Sequence, residues 1–95
     1  MVNSMYHKYY TKQFQKSFNK VLSSGKIKRD EIEYVIDILS NGRKLSDKYR
    51  DHKLNGEYIK YHECHIRGDL VMIYRLEDDK LILVLLDIGS HSELF

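Results

Sequence analysis

Leu70-Val71-Met72-Ile73-Tyr74-Arg75-Leu76-Glu77-Asp78-Asp79-Lys80-Leu81-Ile82-Leu83-Val84-Leu85-Leu86 is the stretch on which the fold turns. Two apolar runs, 70–74 and 81–86, flank the polar turn Glu77-Asp78-Asp79-Lys80, the pattern of paired strands joined by a tight connection. Their apolarity is continuous rather than alternating, which puts both in the interior of a sheet covered on at least one face. Arg67-Gly68-Asp69 supplies a turn upstream, and Tyr58 to Ile66 reads as the strand before it. The C-terminal third is therefore an antiparallel meander.

Toward the N-terminus the period changes. Phe14, Phe18, Val21 and Leu22 fall on one stripe of a helix starting near Thr11, which Ser23-Ser24-Gly25 ends. Ile32, Val35, Ile36 and Leu39 form a second stripe, with Asp30 and Glu31 in the first turn, where the helix dipole favours acids. Ser40-Asn41-Gly42 closes that helix. Tyr6 to Tyr10 is short and aromatic and reads as a first strand. Residues 43–56 read as irregular, ending in the turn signal Leu54-Asn55-Gly56. The order is β-α-α-β-β-β, an α+β fold with two N-terminal helices on one sheet.

A chain of 95 residues with 42% hydrophobic and 32% charged residues suits one globular domain spanning 1–95. No run of 18 apolar residues offers a membrane span. Met1-Val2-Asn3-Ser4-Met5 lacks the layout of a signal peptide. The single cysteine, Cys64, closes no intrachain disulfide, so a cytoplasmic location is expected. The net charge of +2 hides an asymmetry: residues 1–61 hold 13 Lys/Arg against 7 Asp/Glu, or +6, and residues 62–95 hold 3 against 7, or −4. Such a split suits a basic face for nucleic acid or an acidic partner, and equally two solvated faces of opposite sign.

His52, His62, His65 and His91 sit in polar loops or at strand ends. Imidazole is the side chain whose ordinary pKa, about 6.5, suits proton transfer near neutrality. If 58–66 is extended, Tyr61, Glu63 and His65 face one way, and His62 and Cys64 the other. Cys64 then reads as a small buried apolar side chain. The same alternation splits the ligand-rich His62-Glu63-Cys64-His65 between two faces. His52, His65 and His91 could still form a three-histidine metal site if their loops meet. No P-loop, dinucleotide-binding glycine motif or nucleophile elbow is present. Histidine and carboxylate chemistry beside cations is what remains. A metal-independent ribonuclease needs those groups: a base for the 2′-hydroxyl, an acid for the leaving 5′-oxygen, and cations for the phosphorane charge.

Four motifs in order carry a family resemblance. They are Arg50-Asp51-His52-Lys53-Leu54-Asn55-Gly56; Glu63-Cys64-His65-Ile66; Asp69 with Ile73-Tyr74; and Gly89-Ser90-His91-Ser92-Glu93-Leu94-Phe95. Together they resemble the YafQ-type toxins of the RelE superfamily. The resemblance implies a RelE-like fold, two helices on a twisted, mostly antiparallel sheet. It implies the toxin of a type II toxin-antitoxin system, a ribosome-dependent endoribonuclease cutting mRNA in the A site without a cofactor. Its implied partners are a cognate antitoxin, the ribosome and mRNA, with operator DNA reached only through the antitoxin complex.

By position, His52, His65, Asp69, His91 and Phe95 match the family's functional residues. His91 is then the general acid and Asp69 the base, with His52 as the alternative. His65 orients substrate or stabilises the transition state, and Phe95 packs near a base or locks the tail. Lys48, Arg50, Lys53, Lys60 and Arg67 are the cations expected to meet substrate. Three positions depart from the family pattern: Leu70 where an aromatic is common, Asp87 where a basic residue is common, and His62 where arginine is usual. Each removes positive charge or stacking surface. A second class therefore stays open, a weak or inactive relative that keeps antitoxin binding and operon autoregulation.

Overall fold

Tyr74 and Phe14 are among the largest side chains with no more than 1% of their surface exposed, and they mark where sheet and helices meet. The computed structural model describes residues 5–95. The reading of Met1-Val2-Asn3-Ser4 as unlike a signal peptide lies outside the described residues. In chain order the elements are β1 (His7–Tyr10), α1 (Lys12–Ser23), α2 (Arg29–Ser40), β2 (His52–Lys53), β3 (His62–Arg67), β4 (Leu70–Glu77), β5 (Ile82–Ser90) and α3 (His91–Leu94). Short 3-10 turns at Asp47–Tyr49 and Gly56–Tyr58 flank β2. The five strands form one sheet in the order β1-β5-β4-β3-β2. β1 runs parallel to β5, and every other pair is antiparallel. Among the described residues no helix is long and apolar enough to cross a membrane.

Local chemistry explains the helix starts. The Thr11 hydroxyl oxygen accepts the Phe14 N–H at 2.9 Å, capping α1, and its O–H donates to the Leu86 carbonyl at 2.8 Å. One side chain thus begins the helix and fastens it to β5. In α2, the Glu31 carboxylate reaches back to the Lys28 N–H at 3.0 Å. The helices bury Phe14, Ile32, Val35, Ile36 and Leu39 against Cys64, Met72, Tyr74, Leu83, Leu85 and Ile88 of the sheet. Strand alternation sends Glu63, Val71, Ile73 and Val84 to the other face, where they too are buried.

The sequence reading and the structure part in four places. The strand read at Tyr58 to Ile66 begins only at His62, because Gly56, at φ +65°, opens a 3-10 turn and the Tyr61 N–H bonds the Tyr58 carbonyl. The irregular segment 43–56 contains β2, two residues held by pairing with β3. β4 and β5 run beyond their apolar runs, to Glu77 and Ser90, because each completes the other's hydrogen bonds. The polar tail is not a loop: Ser90 caps α3, accepting the Glu93 N–H at 3.2 Å while Glu93 accepts the Ser90 N–H at 2.9 Å.

Cys64 is fully buried in the helix-side core. Burial pushes its thiol well above the ordinary range, and the charges of Asp51 and Glu63 push the same way. It stays neutral and acts as a small apolar side chain. Cys64→Ala should therefore cost about 1 kcal/mol in urea unfolding. An unchanged midpoint would contradict its place in the core.

Candidate active site

Sheet register assembles the site. Antiparallel pairing sets His52 of β2 opposite Glu63 of β3, and Glu63 opposite Ile73 of β4. His65 lies two residues along β3, hence on the same face as Glu63, in a row with Val71 and Gly89. The chain leaves that row at Ser90 and turns into α3, whose first residue is His91. Three histidines far apart in sequence are thereby gathered around one carboxylate.

The distances are close. His52 Nε2 lies 3.3 Å and His65 Nε2 3.5 Å from Glu63 Oε1, and His91 Nε2 lies 3.6 Å from Oε2. Glu63 is only 3% exposed, while the His52 and His91 side chains are more than half exposed. Oε2 is buried and makes no hydrogen bond among the described residues. A buried carboxylate needs compensating donors, and imidazole edges are what surround this one. His52 Nδ1 lies 2.8 Å from the Arg50 carbonyl, which can only accept, so Nδ1 carries the proton. Its Nε2 edge is left toward Glu63. Arg50 adopts the left-handed conformation, φ +48°, which turns its carbonyl into place.

Beneath this face, the buried Tyr74 hydroxyl donates to Asp51 Oδ1 at 2.7 Å. Burial first, and that bond second, push the Tyr74 hydroxyl well above the ordinary tyrosine range. The contact fixes the residue before His52 from the core side. His62 stacks on Tyr74 at 5.1 Å and lies 3.4 Å from Asp51, so it belongs to this support and not to the histidine cluster.

The other expected site residues fall in several places. Phe95 is half exposed, its ring 5.0 Å from that of His91. Asp69 is exposed in the turn between β3 and β4, and its main-chain carbonyl accepts the His91 N–H at 3.2 Å. No described contact joins its carboxylate to the imidazoles. Lys53 and Lys60 line a concavity shared with His62 and Arg75 and with none of the three clustered histidines, whereas Lys48 sits over the Tyr49 ring at 5.1 Å. Arg67 is committed to Glu31 at 2.8 Å and to the Lys26 carbonyl at 2.7 Å. Leu70 pairs with Ser90 and packs against the core, and the Asp87 carboxylate accepts the Ile88 N–H at 2.8 Å.

Sequence reasoning passed over Glu63, although alternation had already placed it beside His65. What the sequence lacked was the β2–β3 register that brings His52 to the same carboxylate. Among the described residues no set of three or more His, Cys, Asp or Glu side chains is arranged to hold a metal ion.

Comparisons with known proteins agree on one group. A family model described as the YafQ bacterial toxin of type II toxin-antitoxin systems matches residues 6–95. The mRNA interferase toxin YafQ of Escherichia coli strain K12 is 31% identical over 70% of this chain and 71% of its own length. Among solved structures, a copper-bound mutant toxin from Helicobacter pylori superposes with a TM-score of 0.89 at 37% identity, covering 96% of this chain and 100% of that one. The E. coli DinJ-YafQ toxin-antitoxin complex gives 0.86 at 27% identity, covering 96% and 98%.

The cap of α3 yields a pH prediction. Hydrogen bonds from the Ser90 N–H and hydroxyl, then the Lys20 ammonium at 3.2 Å, hold the Glu93 carboxyl at about 2. Because this lies below the ordinary value of 4.5, its stabilising effect is complete above pH 4.5 and is lost as the pH falls toward 2. Protection of the amides at residues 91–95, taken as exchange relative to the intrinsic rate at each pH, should therefore fall between those values. In Glu93→Gln it should already be low at pH 6 and change little below.

Proposed function

Because the chain belongs to the YafQ family of bacterial type II toxin-antitoxin toxins, we propose that it is an mRNA interferase that cuts mRNA in the ribosomal A site by acid-base chemistry of its own side chains. The observation that carries this reading is the buried Glu63 with the Nε2 atoms of His52, His65 and His91 within 3.6 Å of its oxygens. In the reaction a base takes the proton of a 2′-hydroxyl, and that oxygen attacks the adjacent phosphorus. The 5′-oxygen leaves with a proton from the acid, giving a 2′,3′-cyclic phosphate and a 5′-hydroxyl.

His91 is the acid, exposed at the start of α3 and free to approach a leaving oxygen. His52 is the base. What favours it over Asp69 is the bond from Nδ1 to the Arg50 carbonyl, which leaves Nε2 to accept a proton beside the carboxylate that stabilises the resulting imidazolium. His65, more enclosed, donates to the phosphorane oxygens. Glu63 acts through the three imidazoles as a positioning residue. Lys53, Lys60 and Arg50 hold neighbouring phosphates. Base, acid and charge stabilisation all come from the chain, so no metal is required. The cognate partner is an antitoxin, as DinJ is for YafQ in the E. coli complex. Operator DNA is met through that complex, and the site of action is the cytoplasm, where ribosomes are.

Mapping mRNA 5′ ends after brief induction tests activity and substrate together. Wild type should produce new ends within codons, and cleavage of ribosome-bound mRNA in vitro should survive chelator treatment. His91→Ala should slow cleavage by about 10²–10⁴-fold while melting like wild type. A folded His91→Ala protein cutting at the wild-type rate overturns the acid assignment. Benign wild-type expression with intact antitoxin binding would identify an inactive relative instead.

A further inference from the structure

Several aromatic rings near the site do nothing for the core. Tyr58 is 40% exposed, Phe95 51%, and neither belongs to the packed cluster between helices and sheet. A large ring left in water loses the burial that usually stabilises it, so an exposed group of them marks a contact surface.

These rings form a continuous series. From His91 the next centroid is Phe95 at 5.0 Å, then Tyr58 at 6.4 Å, then Tyr61 at 6.3 Å. Tyr58 stands nearly perpendicular to both its neighbours, 81° to Phe95 and 70° to Tyr61, so the three rings are not stacked on one another. The Arg75 guanidinium closes the series, 5.0 Å above the Tyr61 ring, and also donates to the Tyr61 hydroxyl at 2.9 Å and to Glu77 at 2.7 Å. Tyr61 is thereby fixed, while Tyr58 is held by its 3-10 turn and by ring contacts with Phe95 and Tyr61. At Arg75 the series meets a concavity lined also by Lys53, Ile59, Lys60 and His62 and by the acidic Glu77, Asp78 and Asp79. Glu77 is taken by Arg75, and Asp78 by the Tyr6 hydroxyl.

We propose that Tyr58 and Tyr61 form a base-stacking subsite for single-stranded RNA, continuing from Phe95, with Lys53 and Lys60 meeting the phosphates. Every base has a π-face, so rings hold successive nucleotides with little regard to sequence. Because Tyr58 meets its neighbours edge to face, a base on one ring is not stacked on a base on the next, so the nucleotides are bound splayed apart, as single-stranded RNA usually is. Continuity with His91 favours RNA as the occupant: a strand whose scissile phosphate lies at the imidazoles has its next nucleotides over these rings. The inference rests on the nuclease reading above and adds to it which residues position the flanking nucleotides.

Steady-state cleavage of ribosome-bound mRNA tests it. Tyr58→Leu, which keeps apolar bulk but removes the π-face, should raise KM about tenfold with kcat within threefold, and Tyr58→Trp should keep KM near the wild-type value. An mRNA with an abasic nucleotide beside the cleavage point should erase the difference between wild type and Tyr58→Leu, an effect that a purely structural role for Tyr58 would not produce. Equal KM for wild type and Tyr58→Leu on intact mRNA overturns the subsite and leaves the nuclease reading standing. Absence of cleavage by wild type removes the nuclease reading, and the subsite with it. Unchanged cleavage together with weakened binding of purified antitoxin would make these rings a protein-docking surface, which also overturns the proposal.

Discussion

A carboxylate buried on a sheet is costly unless charged or donating groups surround it, and Glu63 is buried on the face away from the helices. Imidazoles approach it from three directions: across the sheet from β2, along its own strand, and from the start of α3. Each direction constrains a different part of the chain. β2 must pair in one register, β3 must stay extended through His65, and the polypeptide must turn back after Ser90. The open face of the sheet is thus organised around one negative charge, as the other face is organised around apolar packing.

The return of the chain after β5 shows how weak local interactions place an exposed side chain. Ser90 and Glu93 cap one another, Lys20 of α1 reaches Glu93, and the His91 N–H bonds the Asp69 carbonyl. None of these contacts is strong alone. Together they tie α3 to α1 and to the β3–β4 turn, so His91 is held by its backbone while its ring stays exposed. Gly89 assists, because a Cβ there would come within 3.4 Å of Glu93 and Leu94. The imidazole is thus placed without being buried.

The two faces of the sheet are coupled through β4 and the loop before β2. Tyr74 belongs to the core by its ring and to the site by its hydroxyl, which holds Asp51 next to His52. His62 stacks on the same ring. Its imidazole joins Asp51 and Tyr74 in a support beneath the face that carries Glu63. His62 therefore belongs to the scaffold rather than to the cluster. Leu70 and Asp87 likewise have structural partners, in the core and in the β5 backbone.

Periodicity and turn chemistry made much of the architecture legible. The stripes at 14–22 and 32–39, the caps at Thr11 and Gly25, and the apolar runs at 70–74 and 81–86 specify their elements because each depends on neighbours a few residues away. The division of His62 and Cys64 from Glu63 and His65 followed from strand alternation alone. The short strand β2, the extension of β5 to Ser90 and the parallel pairing of β1 were not legible, since they arise from hydrogen bonds to distant strands. Histidines at 52, 65 and 91 could be read as candidates from their chemistry, but nothing local says that they share a carboxylate. Long-range register decided that, because a residue's opposite number in a sheet is set by the partner strand and not by its own sequence.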